Sequence, residues 1–327
     1  MAQPALDKFK RRGVAIKIET NEGVDATPAA ATNGVLLFDG TSGTEFDKVE
    51  RPTDTPYFTN TPFLVGNKRA FIEGDFELYP PLTPGAAATS SCDNEVLLLP
   101  AGMTVVKDAV AKTTRYNPIS VGIKTASAYG WNVDIKKKIL GARNNITGLS
   151  MAIGDRFKGK TRIQGTYDTV TNENLPAIVV PSVVPAILTS KNGTSKIVSV
   201  NGATVNLLVW AKNLGIDFGN KLVTKEYTSL KVNAVDDRLA SFTYRIARTS
   251  LADFNPWAVR DAGQIITANI RQLDSNLLYS ELGFRGQIEN INEVDIDGDA
   301  GWELTGPCIA SSAGGDEFYI EFGDTNP

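Results

Sequence analysis

One short signature occurs twice in this chain, and it limits the possible fold more than any other feature. Gly141, Arg143, Ile146, Asp155 and Gly159 recur as Gly283, Arg285, Ile288, Asp297 and Gly301, each displaced by 142 residues. One position is then lost, so that Ile163 and Gly165 align with Leu304 and Gly306. A unit carried twice has apolar surface that each copy buries against the other or against further chains, so the repeat has to be recognised before a fold is assigned.

Between these landmarks most segments alternate apolar and polar residues with period two, the pattern of half-buried antiparallel strands. Residues 13–19, 68–78, 131–135, 160–164, 204–210, 240–246, 265–270 and 317–322 read this way, with Gly74 as a bulge candidate. Turn-rich stretches at 39–43, 191–194 and 313–316 separate them. Two segments read as helix instead: 93–102, with an Asx cap and a closing glycine, and 253–263, with Pro256 in its first turn and Gly263 at its end. Asn94 aligns with Asn255, and Gly102 with Gly263, at an offset of 161. The excess over 142 places additional residues in the first copy, within 107–127.

The expectation is a mainly β protein built from two tandem β-sandwich or half-barrel domains, each with one short flanking α-helix. The first covers 1–170 and includes an N-terminal arm (1–12) and a long loop at 44–65. That loop holds Pro52, Pro56 and Pro62 with Tyr57, Phe58 and Phe63, while its counterpart at 221–238 has no proline. Loops of such length without structure of their own are usually functional or disordered, and the aromatics favour one that packs on this subunit or on a neighbour. A proline-rich linker follows at 171–190, stiffened by Pro176, Pro181 and Pro185, and the second domain covers 191–327.

Composition removes most catalytic chemistry. The chain has no histidine among 327 residues, so Ser-His-Asp and Cys-His nucleophile systems and histidine-bearing zinc sites are ruled out. Its two cysteines, Cys92 and Cys308, are too far apart in sequence for a C-x-x-C element and fit two isolated thiols in a cytosolic folding environment. A net charge of -4 argues against a protein that grips nucleic acid. The basic start of the chain lacks the apolar core of a secretory signal, and the apolar stretch 175–188 is too short to span a bilayer.

The motifs that suggest chemistry fail on their context. Residues 154–161 match the phosphate-loop pattern G-x-x-x-x-G-K-[ST], but 162–168 alternate like a strand where that motif requires a helix. Phe157 and the long cations Arg156 and Lys158 occupy positions that need small residues. The duplicate stretch has Trp302 and Glu303 in place of Lys160 and Thr161. Asp295, Asp297 and Asp299 alternate as in a calcium loop, yet Gly298 is at the fourth place and no glutamate is at the twelfth. The basic runs 10–12 and 136–138 read as solvated faces. The sequons at Asn145 and Asn192 carry no meaning in a cytosolic chain. No catalytic, cofactor-binding or metal residues are assigned, and no enzyme activity is expected.

At this point the chain resembles the major tail tube proteins of long-tailed (siphovirus-type) bacteriophages over most of its length. The resemblance lies in the basic arm leading to the Glu-x-x-x-Gly-x-Asp-x-Thr-Pro element from Glu19 to Pro28. It lies also in Val49-Glu50-Arg51 with Asn67-Lys68-Arg69, in the Gly141-Ala142-Arg143 hairpin, and in Gly306-Pro307-Cys308-Ile309. It implies a structural virion protein that self-assembles into stacked rings, forming the tail tube through which DNA passes as a non-specific passenger. Rings of this family have six domains around, so a duplicated chain implies a trimer with pseudo-sixfold symmetry. The implied partners are further copies of the chain, a tape measure protein, a tail terminator, and distal tail or baseplate proteins. The implied location is the virion tail, assembled in the host cytoplasm. Loop 44–65 and the arm are expected between rings. The alternative is a carbohydrate- or receptor-binding β-sandwich protein, a tail adaptor or surface adhesin, with Tyr129, Trp131, Trp257 and Trp302 stacking on sugars.

Overall fold

The computed structural model describes residues 12–50, 63–81, 83–85, 94–178, 186–228 and 230–325. Its N-terminal strand set is β1 (Arg12–Ile18), β2 (Gly34–Val35), β3 (Phe38–Val49), β4 (Leu64–Glu77), β5 (Met103–Asp108), β6 (Thr113–Pro118), β7 (Ala126–Asn132), β8 (Ile135–Ala152) and β9 (Lys158–Asn172). The C-terminal set begins with β10 (Gly193–Val200), β11 (Ala203–Leu208), β12 (Ala211–Asp217), β13 (Asn220–Tyr227), β14 (Leu230–Arg238) and β15 (Ser241–Ala247). It ends with β16 (Ile265–Leu273), β17 (Leu278–Gln287), β18 (Asn290–Ile296), β19 (Asp299–Pro307) and β20 (Phe318–Asp324). Helix α1 (Glu95–Leu98) precedes β5, and α2 (Pro256–Asp261) precedes β16. The protein is mainly β, with several antiparallel sheets.

Both helices are shorter than expected, and both end at a glycine with left-handed backbone. A 3-10 turn (Leu99–Ala101) extends α1 to Gly102 at φ 82°, and α2 stops at Gly263 at φ 63°. Asn255 caps α2 by accepting the Ala258 N–H at 3.1 Å. At α1 the N-cap position is Asn94, but its side chain makes no capping bond because its amide donates to the Glu77 carbonyl instead.

Two large sheets pack face to face, sandwich-like. One runs β3-β4-β9-β8-β12-β15-β19-β18, with β7, β1 and β2 continuing from β8 on a branch. The other runs β11-β10-β16-β17-β20-β6-β5, and β13 and β14 form a separate hairpin. Between the large sheets Phe242 stacks on Phe284 at 4.0 Å, and Tyr244, Trp302, Phe318 and Ile320 are fully enclosed. Alternation along β15, β19 and β20 supplies Phe242, Tyr244, Trp302, Phe318 and Ile320 from one face of each strand.

The strand order recurs. β2-β1-β7-β8-β9 in the first set has the same arrangement as β11-β10-β16-β17-β20 in the second. Likewise β3-β4-β9-β8 matches β12-β15-β19-β18. The repeated signature lies at the bend where one layer passes into the other. Ala126 opposes Ala142, and 142 residues later Ala268 opposes Phe284. At Gly165 an added Cβ would come within 2.7 Å of the Leu140 carbonyl, and at Gly306 within 2.0 Å of the Gln287 carbonyl. Only glycine lets a strand cross the bent neighbour so closely, which accounts for its recurrence at both positions. The β5–β6 hairpin stands between α1 and β7, whereas three residues, 262–264, join α2 to β16.

Several local expectations are corrected. Residues 44–49 and 64–65 belong to β3 and β4, so only 51–62 of the proposed loop lie outside the described residues. Residues 39–43, read as a turn, are strand. Both corrections have one cause: β3 is an edge strand exposed on both faces and shows no apolar alternation. Within 131–135, Trp131 and Asn132 end β7 and Ile135 begins β8, while residues 133–134 form the hairpin turn, with Val133 at φ 61°. The irregularity assigned to Gly74 sits on the partner strand, between Phe38 and Thr41, while β4 pairs continuously with β9. Within the 171–190 stretch, residues 171–172 end β9, the Leu175 N–H bonds to the Val133 carbonyl, and Leu188 is buried with its N–H on Asp155. Residues 179–185 and the arm 1–11 lie outside the described residues.

Candidate assembly interface

The first strand set meets the second through two strand pairs, β6 with β20 in one sheet and β8 with β12 in the long sheet. Asn213, Leu214, Gly215 and Ile216 of β12 oppose Ala152, Met151, Ser150 and Leu149 of β8. Beside them the Ile153 N–H donates to the Lys212 carbonyl at 2.9 Å. From β12 and β15 the β13–β14 hairpin then reaches across the first set. Arg143 Nε donates to the Asn233 carbonyl at 3.0 Å, and Asn233 Nδ2 to Thr166 Oγ1 at 3.0 Å. Asn220 Nδ2 donates to the carbonyls of Ala101 (2.7 Å) and Asn144 (3.1 Å). At the hairpin's foot Arg238 Nη2 donates to the Gly102 and Ile119 carbonyls, both at 2.9 Å, while Nη1 pairs with Glu317 at 3.3 Å.

A second internal alignment locates the counterpart of this junction. Residues 34–46 align without gaps with 206–218 at an offset of 172, pairing Leu36 with Leu208, Phe38 with Trp210, Gly43 with Gly215 and Phe46 with Phe218. The strand pairing agrees, since Ser42 opposes Ile72 as Leu214 opposes Tyr244. Residues 41–44 of β3 therefore hold the positions through which β12 bonds to β8. Among the described residues no strand pairs with that edge of β3, nor with the outer edge of β18 at the other end of the sheet. Two cations cover the β3 edge instead: Arg12 donates to the Gly40 carbonyl, and Lys137 Nζ donates to the Ser42 carbonyl at 2.9 Å. Gly40 and Ser42 correspond to Lys212 and Leu214, which face β8. Cationic side chains on an open edge are a recognised guard against uncontrolled pairing. Burial pushes the Lys137 ammonium below its ordinary value.

The outward face of the long sheet is charged and internally neutralised. Directly opposed pairs run along it: Glu45 with Arg69, Glu73 with Arg162, and Arg245 with Glu303. Arg162 bridges Glu45 at 2.7 Å and Glu73 at 3.1 Å, and Arg69 also reaches Asp47 at 2.8 Å.

The Glu19-to-Pro28 element has a structural role. Glu19 is buried, and its carboxylate accepts the N–H groups of Gly23 and Gly141 and the Ser127 hydroxyl, each at 2.8 Å. It thereby ties the element to the repeated Gly141. Asp25 accepts the Tyr129 hydroxyl at 2.7 Å and faces Lys138 Nζ at 3.2 Å. Burial, with the Asp25 hydrogen bond behind it, pushes the Tyr129 phenol far above its ordinary value. Burial also works to raise the Asp25 carboxyl, but the Tyr129, Thr27 and Lys138 hydrogen bonds outweigh it and hold the carboxyl low.

The sequence-flagged residues are not brought together into a reactive site. Residues 154–161 turn into β9, where Thr161 is buried on Asn144, so no helix N-terminus faces a phosphate. Asp295 accepts the Gly298 N–H and Asp297 pairs with Lys212, both at 2.6 Å. Among the described residues no group of three or more acidic or cysteine side chains converges as a metal site. Lys136, Lys137 and Lys138 are engaged by Glu173, Ser42 and Asp25. Tyr129, Trp131 and Trp302 are buried, and Trp257 packs edge-on against Trp302 at 5.5 Å, so the proposed sugar-stacking set is core. Trp210, which sequence reasoning passed over, is 85% exposed. Arg143 was noted only as part of a hairpin, and Arg238 was missed. The offset-172 alignment is the signal that marks the interface strands. No protein-family model matches the chain, and no curated protein matches its sequence.

Proposed function

We propose that this chain is the subunit of a bacteriophage tail tube and that its two strand sets are tandem tail-tube domains. The observation that carries this reading is the eight-strand order β3-β4-β9-β8-β12-β15-β19-β18, a four-strand pattern used twice with its ends unpaired. The internal β8–β12 junction supplies the template for the next contact: β18 of one copy takes β3 of the following copy. Such a head-to-tail contact is heterologous and forms a ring if its rotation closes. With six pattern units around, three chains close a ring of twenty-four strands.

At ~4.8 Å per strand and a usual barrel tilt, twenty-four strands give a wall roughly 40–50 Å across between backbones. That admits a DNA duplex. The neutralised face of the long sheet suits a lumen, because phosphate contacts dominate affinity for DNA and an arginine already paired within the sheet has little to offer them. The role is structural, with no reaction and no cofactor. Rings stack end to end, and the ends of the tube engage a tape measure protein, a terminator and distal tail proteins. Negative-stain microscopy of the purified protein is the test: rings or tubes of constant diameter are expected. Compact single particles at every concentration would refute the proposal.

A further inference from the structure

We infer that Arg285 is the receiving group for a second copy of this chain, clamping the β3–β4 hairpin of its ring neighbour; the inference rests on the head-to-tail ring proposed above. Arg143 and Arg285 occupy the same place in the repeat, each two residues past the glycine of the 142-residue signature. Arg143 is fully used. Its Nε holds the Asn233 carbonyl of the β13–β14 hairpin, Nη1 holds the Lys124 carbonyl at 2.8 Å, and Nη2 faces Glu22 at 3.3 Å. Arg285 uses only Nη1, on the Ile309 carbonyl at 2.7 Å. Among the described residues its Nε and Nη2 have no partner. The group that Arg143 Nε holds comes from the hairpin arising from β12 and β15, and the corresponding hairpin arises from β3 and β4. Among the described residues that hairpin touches the second strand set where the Lys68 carbonyl accepts Lys231 Nζ at 2.6 Å, and it gives Arg285 no hydrogen bond.

The hairpin itself also lacks cover. Phe46 is 42% exposed and Phe63 44%, the two rings stacked at 5.7 Å. Phe218, the counterpart of Phe46, is fully buried against Phe318 at 4.6 Å. Phe318 belongs to the same strand set as Phe218, but the Phe218 N–H donates to the Ile146 carbonyl of the first set at 3.0 Å, so the enclosed ring sits at the junction and its open counterpart Phe46 at a surface left for a neighbour. The neighbour is a second copy rather than an unrelated protein, because the matching surface and its clamp already exist once within the chain. This contact lies within the ring, beside the strand pair.

The test places a photo-crosslinking amino acid at Phe63 in a mixture of isotope-labelled and unlabelled chains. Assembled rings are irradiated and the crosslinks mapped by mass spectrometry. Crosslinks between labelled and unlabelled chains, from position 63 into residues 283–309, are expected. Rings whose crosslinks fall within one chain or elsewhere would overturn this inference and leave the ring proposal standing. Failure to form any ring would overturn the ring proposal and this inference with it. In parallel, Arg285→Ala is expected to raise the concentration needed for ring formation by about tenfold or more, since it removes a charge-assisted bond at every repeat of the contact. Its monomer is expected to lose only the Ile309 bond and to remain folded in urea titration below the transition, and unchanged ring formation by this variant would count against the clamp.

Discussion

Replacing Arg238 by methionine tests how the second strand set is fastened to the first. Arg238 donates to the Gly102 and Ile119 carbonyls, to Asn220 Oδ1 at 3.1 Å and to Glu317. Both members of the ion pair are nearly enclosed, with side-chain exposures of 11% and 14%. Burial lowers the guanidinium's pKa and the Glu317 charge works against that, so the group remains charged at neutral pH. Arg238→Met preserves much of the volume but leaves Glu317 buried without its cation, where Oε2 already has no partner. Breaking a buried pair from one side costs about 3–5 kcal/mol, whereas removing both charges costs far less. The single variant is therefore expected to lose about 3–5 kcal/mol, and Arg238→Met with Glu317→Gln to regain at least about half of it. Urea unfolding followed by tryptophan fluorescence is a suitable assay, because Trp131 and Trp302 are buried in different strand sets. A loss under about 1 kcal/mol would place Arg238 with exposed surface pairs and refute the reasoning, as would a double variant no better than the single one.

Three further outcomes follow from the same geometry. Glu19→Ala strands the Gly23 and Gly141 N–H groups and is expected to cost about 2–4 kcal/mol in urea unfolding; a neutral effect would deny the carboxylate its pinning role. Lys137→Met frees the Ser42 carbonyl on the β3 edge, so rings should form at about two- to tenfold lower protein concentration, read by mass photometry; an unchanged threshold would mean that edge is not the one used. Asp25 has a lowered pKa, so its contribution is present above the ordinary carboxyl value of about 3.9 and is lost as pH falls through the lower folded value. The melting-temperature gap between the unaltered chain and Asp25→Asn should thus be constant from pH 7 to 5 and shrink only below about pH 4; a gap that closes near neutrality would contradict the assignment.

Much of the strand content was legible because β15, β16 and β20 bury one face and expose the other, which writes itself as alternation. The glycines of the repeat were legible as a pattern, but their reason is tertiary: Gly165 and Gly306 permit a crossing that only the folded sheet reveals. Strand β3 was hidden because its edge position removes the alternation, and its likeness to β12 was hidden because extra residues in the first copy lower the offset from 172 to 161 to 142 along the chain. Val133 at φ 61° disguised a hairpin turn as strand, since a β-branched residue rarely takes that conformation. In sequence Glu19 and Arg143 stand only as members of short motifs, and Arg238 carries no mark at all. Each is partly or wholly enclosed by chain segments ninety or more residues away, so no local pattern announces its partners.

The central claim is that one chain supplies two sixths of a ring by repeating a four-strand pattern whose open ends meet in the next copy. Cryo-electron microscopy of assembled protein, refined without imposed symmetry, tests it directly. The account predicts three chains per ring, a continuous inner wall of twenty-four strands, and β3 of one copy hydrogen-bonded to β18 of the next. A ring of six chains, or a wall in which β3 and β18 remain unpaired, would contradict it.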